Sequence, residues 1–140
     1  MAGNVHELRP RASGETEKIT INLGYVDLGH VDLLVQDGFY ANRTDFIRTA
    51  VRNQLATAAT AVNQTVARRT LVLGTALYTR RELEEARAAG RMVQIRVLGL
   101  ATIADDVTPE LALATIESVE VLGALRASPA VKAALAPRTV

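Results

Sequence analysis

In the stretch KITINL, Lys18, Thr20 and Asn22 alternate with Ile19, Ile21 and Leu23. Extended backbone sends every second side chain to the same face, so three polar groups form a row backed by an apolar row. Lysine supplies donors only, while threonine and asparagine both donate and accept, which suits such a row to reading hydrogen-bonding edges. A second group, Asn42, Arg43 and Thr44, opens NRTDFIRTAVRNQL. Asn42 is placed to cap a helix, with Asp45 three residues on as the reciprocal acid. Groups for covalent or metal chemistry are scarce. The chain has no cysteine, its two histidines are His6 and His30, and there is no glycine-rich phosphate loop. The usual nucleophile and base pairings are therefore absent. Asp27, Asp32 and Asp37 recur at five-residue steps, which spreads them round a helix, and Asp105, Asp106 and Glu110 stand before a helix, where acids serve the dipole. No enzyme activity, catalytic residue, metal ligand or cofactor is expected.

The elements that must position these groups follow from the pattern along the chain. Its 140 residues are 49% hydrophobic with a net charge of +1, enough for one ordinary domain or two small ones. Residues 1–16 mix Gly3, Pro10, Ser13 and Gly14 with charges and read as a disordered arm, in which Arg9 and Arg11 could touch phosphates. From Lys18 to Leu23 a half-buried strand is predicted, ended by Gly24. Leu28, Val31, Leu34 and Val35 then share one side of a helix closed by Gly38. Phe46, Ile47, Ala50, Val51 and Leu55 make the buried stripe of the helix capped by Asn42, and residues 57–69 extend it as a plainer spacer. Between Asn42 and Arg69 five arginines, Arg43, Arg48, Arg52, Arg68 and Arg69, face the single acid Asp45; Arg48 is a candidate partner for it. A strand of six residues cannot stand alone, because half its backbone groups stay unpaired. The same strand of a second chain, paired antiparallel, supplies the missing partner. Such a ribbon fits the major groove of DNA, with its polar face toward base edges.

KITINL, the helix after it, the Gly38 turn and NRTDFIRTAVRNQL together resemble the ribbon-helix-helix DNA-binding family that includes the CopG, Arc and MetJ repressors. The resemblance covers roughly residues 17–55. It implies an intertwined homodimer with its ribbon in the major groove, Lys18, Thr20 and Asn22 as base readers, and Asn42, Arg43 and Thr44 at a phosphate. Gly24, Tyr25 and Val26 depart from the family's common proline-led helix start. The nickel-responsive members carry histidine and cysteine ligands that have no counterpart after residue 70, so metal sensing is not expected.

Beyond residue 70 the tripeptide VLG recurs at Val72, Val97 and Val121, at spacings of 25 and 24 residues, each followed by a helical segment. This predicts three β-α repeats, either stacked as in a leucine-rich-repeat-like solenoid or laid out as a small three-stranded α/β layer. The fold class expected is α+β, with a disordered arm at 1–16, a ribbon-helix-helix domain at 17–56, a helical extension at 57–69 and the repeats at 70–140. The last repeat, VEVLGALRASPAVKAALAPRTV, has no charged cap, which points to higher homo-oligomers formed through its apolar end. The function expected is a sequence-specific transcriptional regulator, a repressor at a palindromic operator on double-stranded DNA. Two alternatives are an antitoxin that represses its own operon and a structural assembler that uses the ribbon only to dimerise. With no secretory signal and no spanning segment read in the sequence, a bacterial-type cytoplasmic, nucleoid-associated location is expected, away from membranes.

Overall fold

The computed structural model describes residues 16–140; the expected arm, with Arg9, Arg11 and His6, lies outside the described residues except for Thr16. Contacts divide the chain into two compact units, one ending at Ala58 and the other running from Ala59 to Val140.

In the first unit an extended segment, residues 16–24, leads into helix α1 (Tyr25–Gln36). A turn of six residues then connects to α2 (Arg43–Thr57). Gly38 ends α1 as its pattern required. At φ +84° it occupies the left-handed region, its N–H donating to Val35 O and the Phe39 N–H to Leu34 O, which satisfies the last carbonyls of the helix. Asn42 caps α2 by accepting from the Asp45 N–H at 2.8 Å, and Asp45 in return accepts from the Ala41 N–H at 2.9 Å. That return bond occupies the carboxylate, and Arg48 has no ion-pair partner among the described residues, so the expected Asp45–Arg48 pair does not form. Tyr40 packs edge-on against Phe46 with ring centres 5.0 Å apart, pinning the turn to the second helix.

The second unit starts with α3 (Ala59–Arg69), a separate helix rather than an extension of α2. Thr57 Oγ1 donates back to the Asn53 carbonyl at 3.1 Å, the kind of local bond that loosens a helix end, and Ala58 leaves helical geometry there. Then come β1 (Val72–Tyr78), α4 (Arg80–Ala88), β2 (Val93–Ile103), α5 (Pro109–Thr115), β3 (Ile116–Arg126) and α6 (Pro129–Leu135), followed by a 3-10 turn, Ala136–Arg138. Each of the last three helices opens on a side-chain cap: Thr79 with Glu82 as a reciprocal box, Thr108, and Ser128. Pro109 and Pro129 take first-turn positions, where their missing donor is not needed.

The three strands are parallel in the order β1-β2-β3. The register aligns Val72 with Val97 and Val121, Leu73 with Leu98 and Leu122, and Gly74 with Gly99 and Gly123. The tripeptide spacing is thus the strand register itself. All three glycines have positive φ, +116°, +138° and +122°. A Cβ on Gly99 would stand 2.0 Å from Gly74 O, and one on Gly123 would stand 2.1 Å from Gly99 O. Only glycine meets both conditions. One face of the sheet, with Ile95, Val97, Ala101, Ile103 and Val119, joins Leu83, Val107, Leu111, Val131 and Leu135 in a closed core. The other face carries Leu73, Leu98 and Leu122 in a row, with α3 beside it. Glu120 on that face bridges two arginines, Arg69 from α3 and Arg96 from the neighbouring strand.

The last repeat is not the bare end that its composition led us to expect. Val119, Val131 and Leu135 are fully buried. The Arg138 guanidinium donates to the carbonyls of Leu113 and Ile116, both at 2.7 Å, and the Val140 N–H donates to Val119 O at 2.9 Å. The last three residues of the repeat thus fold back on it as a polar clasp. The exposed apolar side chains of this unit include Val72, Leu73 and Leu77 on β1, and Leu122 and Val140 in the last repeat.

Candidate nucleic-acid interface

Residues 17–23 are extended but make no strand pairing among the described residues, and the three VLG strands form their sheet without them. Lys18, Thr20 and Asn22 are all exposed. The apolar row is also largely open in the single chain: Ile19 is 76% exposed, Ile21 52% and Leu23 42%. These side chains border two clefts. In one, of about 510 Å³, Ile21 and Leu23 meet Val31, Phe46 and Ile47; in the other, of about 540 Å³, Ile19 and Ile21 meet Ile47 and Val51, with Arg48 and Arg52 at its side. The α2 stripe read from the sequence is therefore aligned on one face but not buried. No residue of α2 is buried, and Val51 and Leu55 are at least half exposed. Of the α1 stripe only Val31 is buried, with Leu28, Leu34 and Val35 half-buried around it. An apolar surface built from a strand and two helices, yet open to water, is half of a core.

At the start of α2 the side-chain oxygen of Asn42 accepts the capping bond. Arg43 and Thr44 occupy the first two helical positions, whose N–H groups have no acceptor within the helix. Both are exposed. The Arg43 guanidinium is already engaged: its Nε lies 2.7 Å from Asp32 Oδ1 and its Nη2 2.8 Å from Asp32 Oδ2, a two-point pair across the turn between α1 and α2. The bonded guanidinium holds the Asp32 carboxyl below its usual range, and Arg43 is raised in return. A guanidinium has five N–H donors, so the remaining ones stay free for a second anion. Asp32 thus fixes where Arg43 points. Sequence reasoning set Asp32 aside because its spacing from the other acids was wrong for a metal; eleven residues separate it from Arg43, and no periodic signal links them.

No cluster of three metal-ligating side chains occurs among the described residues. No helix among them is long and apolar enough to cross a membrane.

The geometry of an unpaired strand followed by two helices and a capped turn agrees with the sequence comparison. The profile of the Ribbon-Helix-Helix transcriptional regulator family matches residues 14–132, and the chain belongs to that family. The match runs through the VLG repeats as far as α6. None of the curated proteins and none of the solved structures searched matches the chain. Membership carries a DNA-binding role in transcription, generally without enzymatic activity, and typically dimerisation.

Proposed function

We propose that the protein is a homodimeric, sequence-specific repressor whose antiparallel ribbon, residues 18–23 from each of two chains, enters the major groove of a palindromic operator. The observation that carries this reading is the unpaired segment 18–23: its side chains are all exposed, and its apolar row borders open clefts against α1 and α2. A second copy closes both the backbone ladder and the clefts. Self-pairing of the strand puts Thr20 nearest the dyad, with Lys18 of one chain opposite Asn22 of the other. Thr and Asn then bond base edges and Lys favours guanine, while Arg43 and the free amides of Arg43 and Thr44 hold a flanking phosphate. The second unit acts as an assembly module, and the protein works in the cytoplasm on the nucleoid.

The second unit has its own closed core and capped helices. That weighs against the antitoxin alternative, in which a tail folds on its toxin partner. Operator selection from genomic DNA with the purified protein, repeated with Asn22→Ala, tests the base-reading assignment. The variant is expected to remain dimeric and to lose about 1–3 kcal/mol of discrimination at the operator positions it reads. Unchanged binding to both selected and random DNA refutes that assignment.

A further inference from the structure

Strand β1 is a free sheet edge with none of the features that keep edges apart. Val72–Tyr78 reads VLGTALY, without a charge or a proline, and among the described residues only β2 pairs with it. Edge strands ordinarily carry lysine, proline or an inward charge against unwanted pairing. The other edge is treated differently: Thr139 forms a parallel bridge to Val119 and the Val140 N–H bonds the Val119 carbonyl, so the start of β3 is covered. On the open face of the sheet Leu73 is 60% exposed and Leu77 57%. From Gly99 and Gly123 the Cβ direction runs in the sheet plane into the carbonyl of the preceding strand. The same direction from Gly74 meets nothing within 4 Å. Among the described residues the flank of β1 is therefore clear at the level of the glycine row.

The strand is self-complementary. Turned antiparallel on itself about Thr75, it sets Leu73 opposite Leu77, Gly74 opposite Ala76 and Val72 opposite Tyr78, with Thr75 facing its own copy. Large apolar side chains meet large ones and small meet small, the pairing that stabilises antiparallel ladders. A head-to-tail stack, with β3 of one copy against β1 of the next, meets the Thr139–Val140 segment instead. We infer that β1 is a homotypic docking edge, joining the sheets of two copies into one continuous sheet across a two-fold axis at Thr75. The inference rests on the proposed dimer in one respect: a ribbon dimer holds two β1 strands at high effective concentration, which favours a weak edge contact.

The chain contains no cysteine, so single introduced thiols report on this register. Thr75 is exposed. In full-length protein carrying Thr75→Cys, mild oxidation is expected to give a covalent dimer. Directly opposed residues lie about 4.5–5.5 Å apart between Cα atoms, within the roughly 4.4–6.8 Å that a disulfide spans. Leu73→Cys alone and Leu77→Cys alone should stay uncrosslinked, because each is about 14 Å from its own copy along the ladder. Chains carrying one of each, co-expressed, should crosslink. Light scattering of the unmodified protein separates the two ideas. A dimer in which Thr75→Cys does not crosslink, or in which Leu73→Cys alone crosslinks as readily, overturns the edge pairing and leaves the ribbon dimer standing. A monomer overturns both.

Discussion

Replacing Gly99 with alanine is the sharpest test of how the second unit is held together. The new Cβ would stand 2.0 Å from Gly74 O, 2.9 Å from Gly74 C and 3.3 Å from Gly74 Cα. Carbon and carbonyl oxygen tolerate an approach of about 3.3 Å, so β1 and β2 must separate locally by more than about 1 Å. The obstacle is backbone, which cannot swing aside as a side chain can. Ladder hydrogen bonds near 2.9 Å do not survive such a shift, and losing two of them costs about 1 kcal/mol each. Holding alanine at φ +138° adds about 1–3 kcal/mol. The sum is a loss of about 3–5 kcal/mol, with the same expected for Gly123→Ala, whose Cβ would meet Gly99 O at 2.1 Å. Gly74→Ala has no such contact and should cost only the conformational part, about 1–3 kcal/mol, where the β1 edge is free. Urea unfolding of the full chain, followed by circular dichroism, measures all three. If Gly99→Ala stays within about 1 kcal/mol of the parent, the glycine row is not what sets the strand spacing, and the explanation of the VLG repeat fails with it.

Arg43→Ala should weaken binding to selected and random DNA alike, and the slope of log affinity against log salt should become shallower by about one unit per lost contact, or about two for a symmetric dimer. Asp32→Asn should act the other way, tightening binding to both DNAs, because it removes a negative charge beside the phosphate contact; fluorescence anisotropy titrations at several salt concentrations measure both variants. The Asp32 carboxyl is held below its ordinary value of 3.8 by the hydrogen bond from Arg43, so the pair persists at all pH values above that and is lost only as pH falls through the lowered pKa. Tyr78 runs in the opposite sense. Burial first, and the nearby Glu82 second, raise its phenol above 10.0, so the stability it contributes is full below pH 10.0 and is lost as pH rises through the raised pKa. Thermal melts on either side of that range should show the parent losing more stability than Tyr78→Phe.

The features of this protein that were legible in the sequence are local or periodic. The Asn42 cap and the Gly38 ending need only a few adjacent residues. The VLG spacing of 25 and 24 residues became the register of a parallel sheet because identical close contacts between glycines recur at each step. Tertiary structure alone decided the rest. Asp32 and Arg43 come from different helices, and Arg69, Arg96 and Glu120 come from one helix and two strands. Nothing in the spacing announces the meetings of Asp32 with Arg43 and of Arg69 with Glu120, whereas Arg96 and Glu120 stand at the 24-residue offset of the repeat. The same holds for which apolar rows are covered. Leu135 and Val131 are buried, whereas Leu73, Leu77 and Val51 are exposed, although all are apolar residues at equally regular spacing. A sequence pattern assigns a side chain to a face; whether that face is closed depends on which other segment lies over it, and that is a property of the folded chain and its copies.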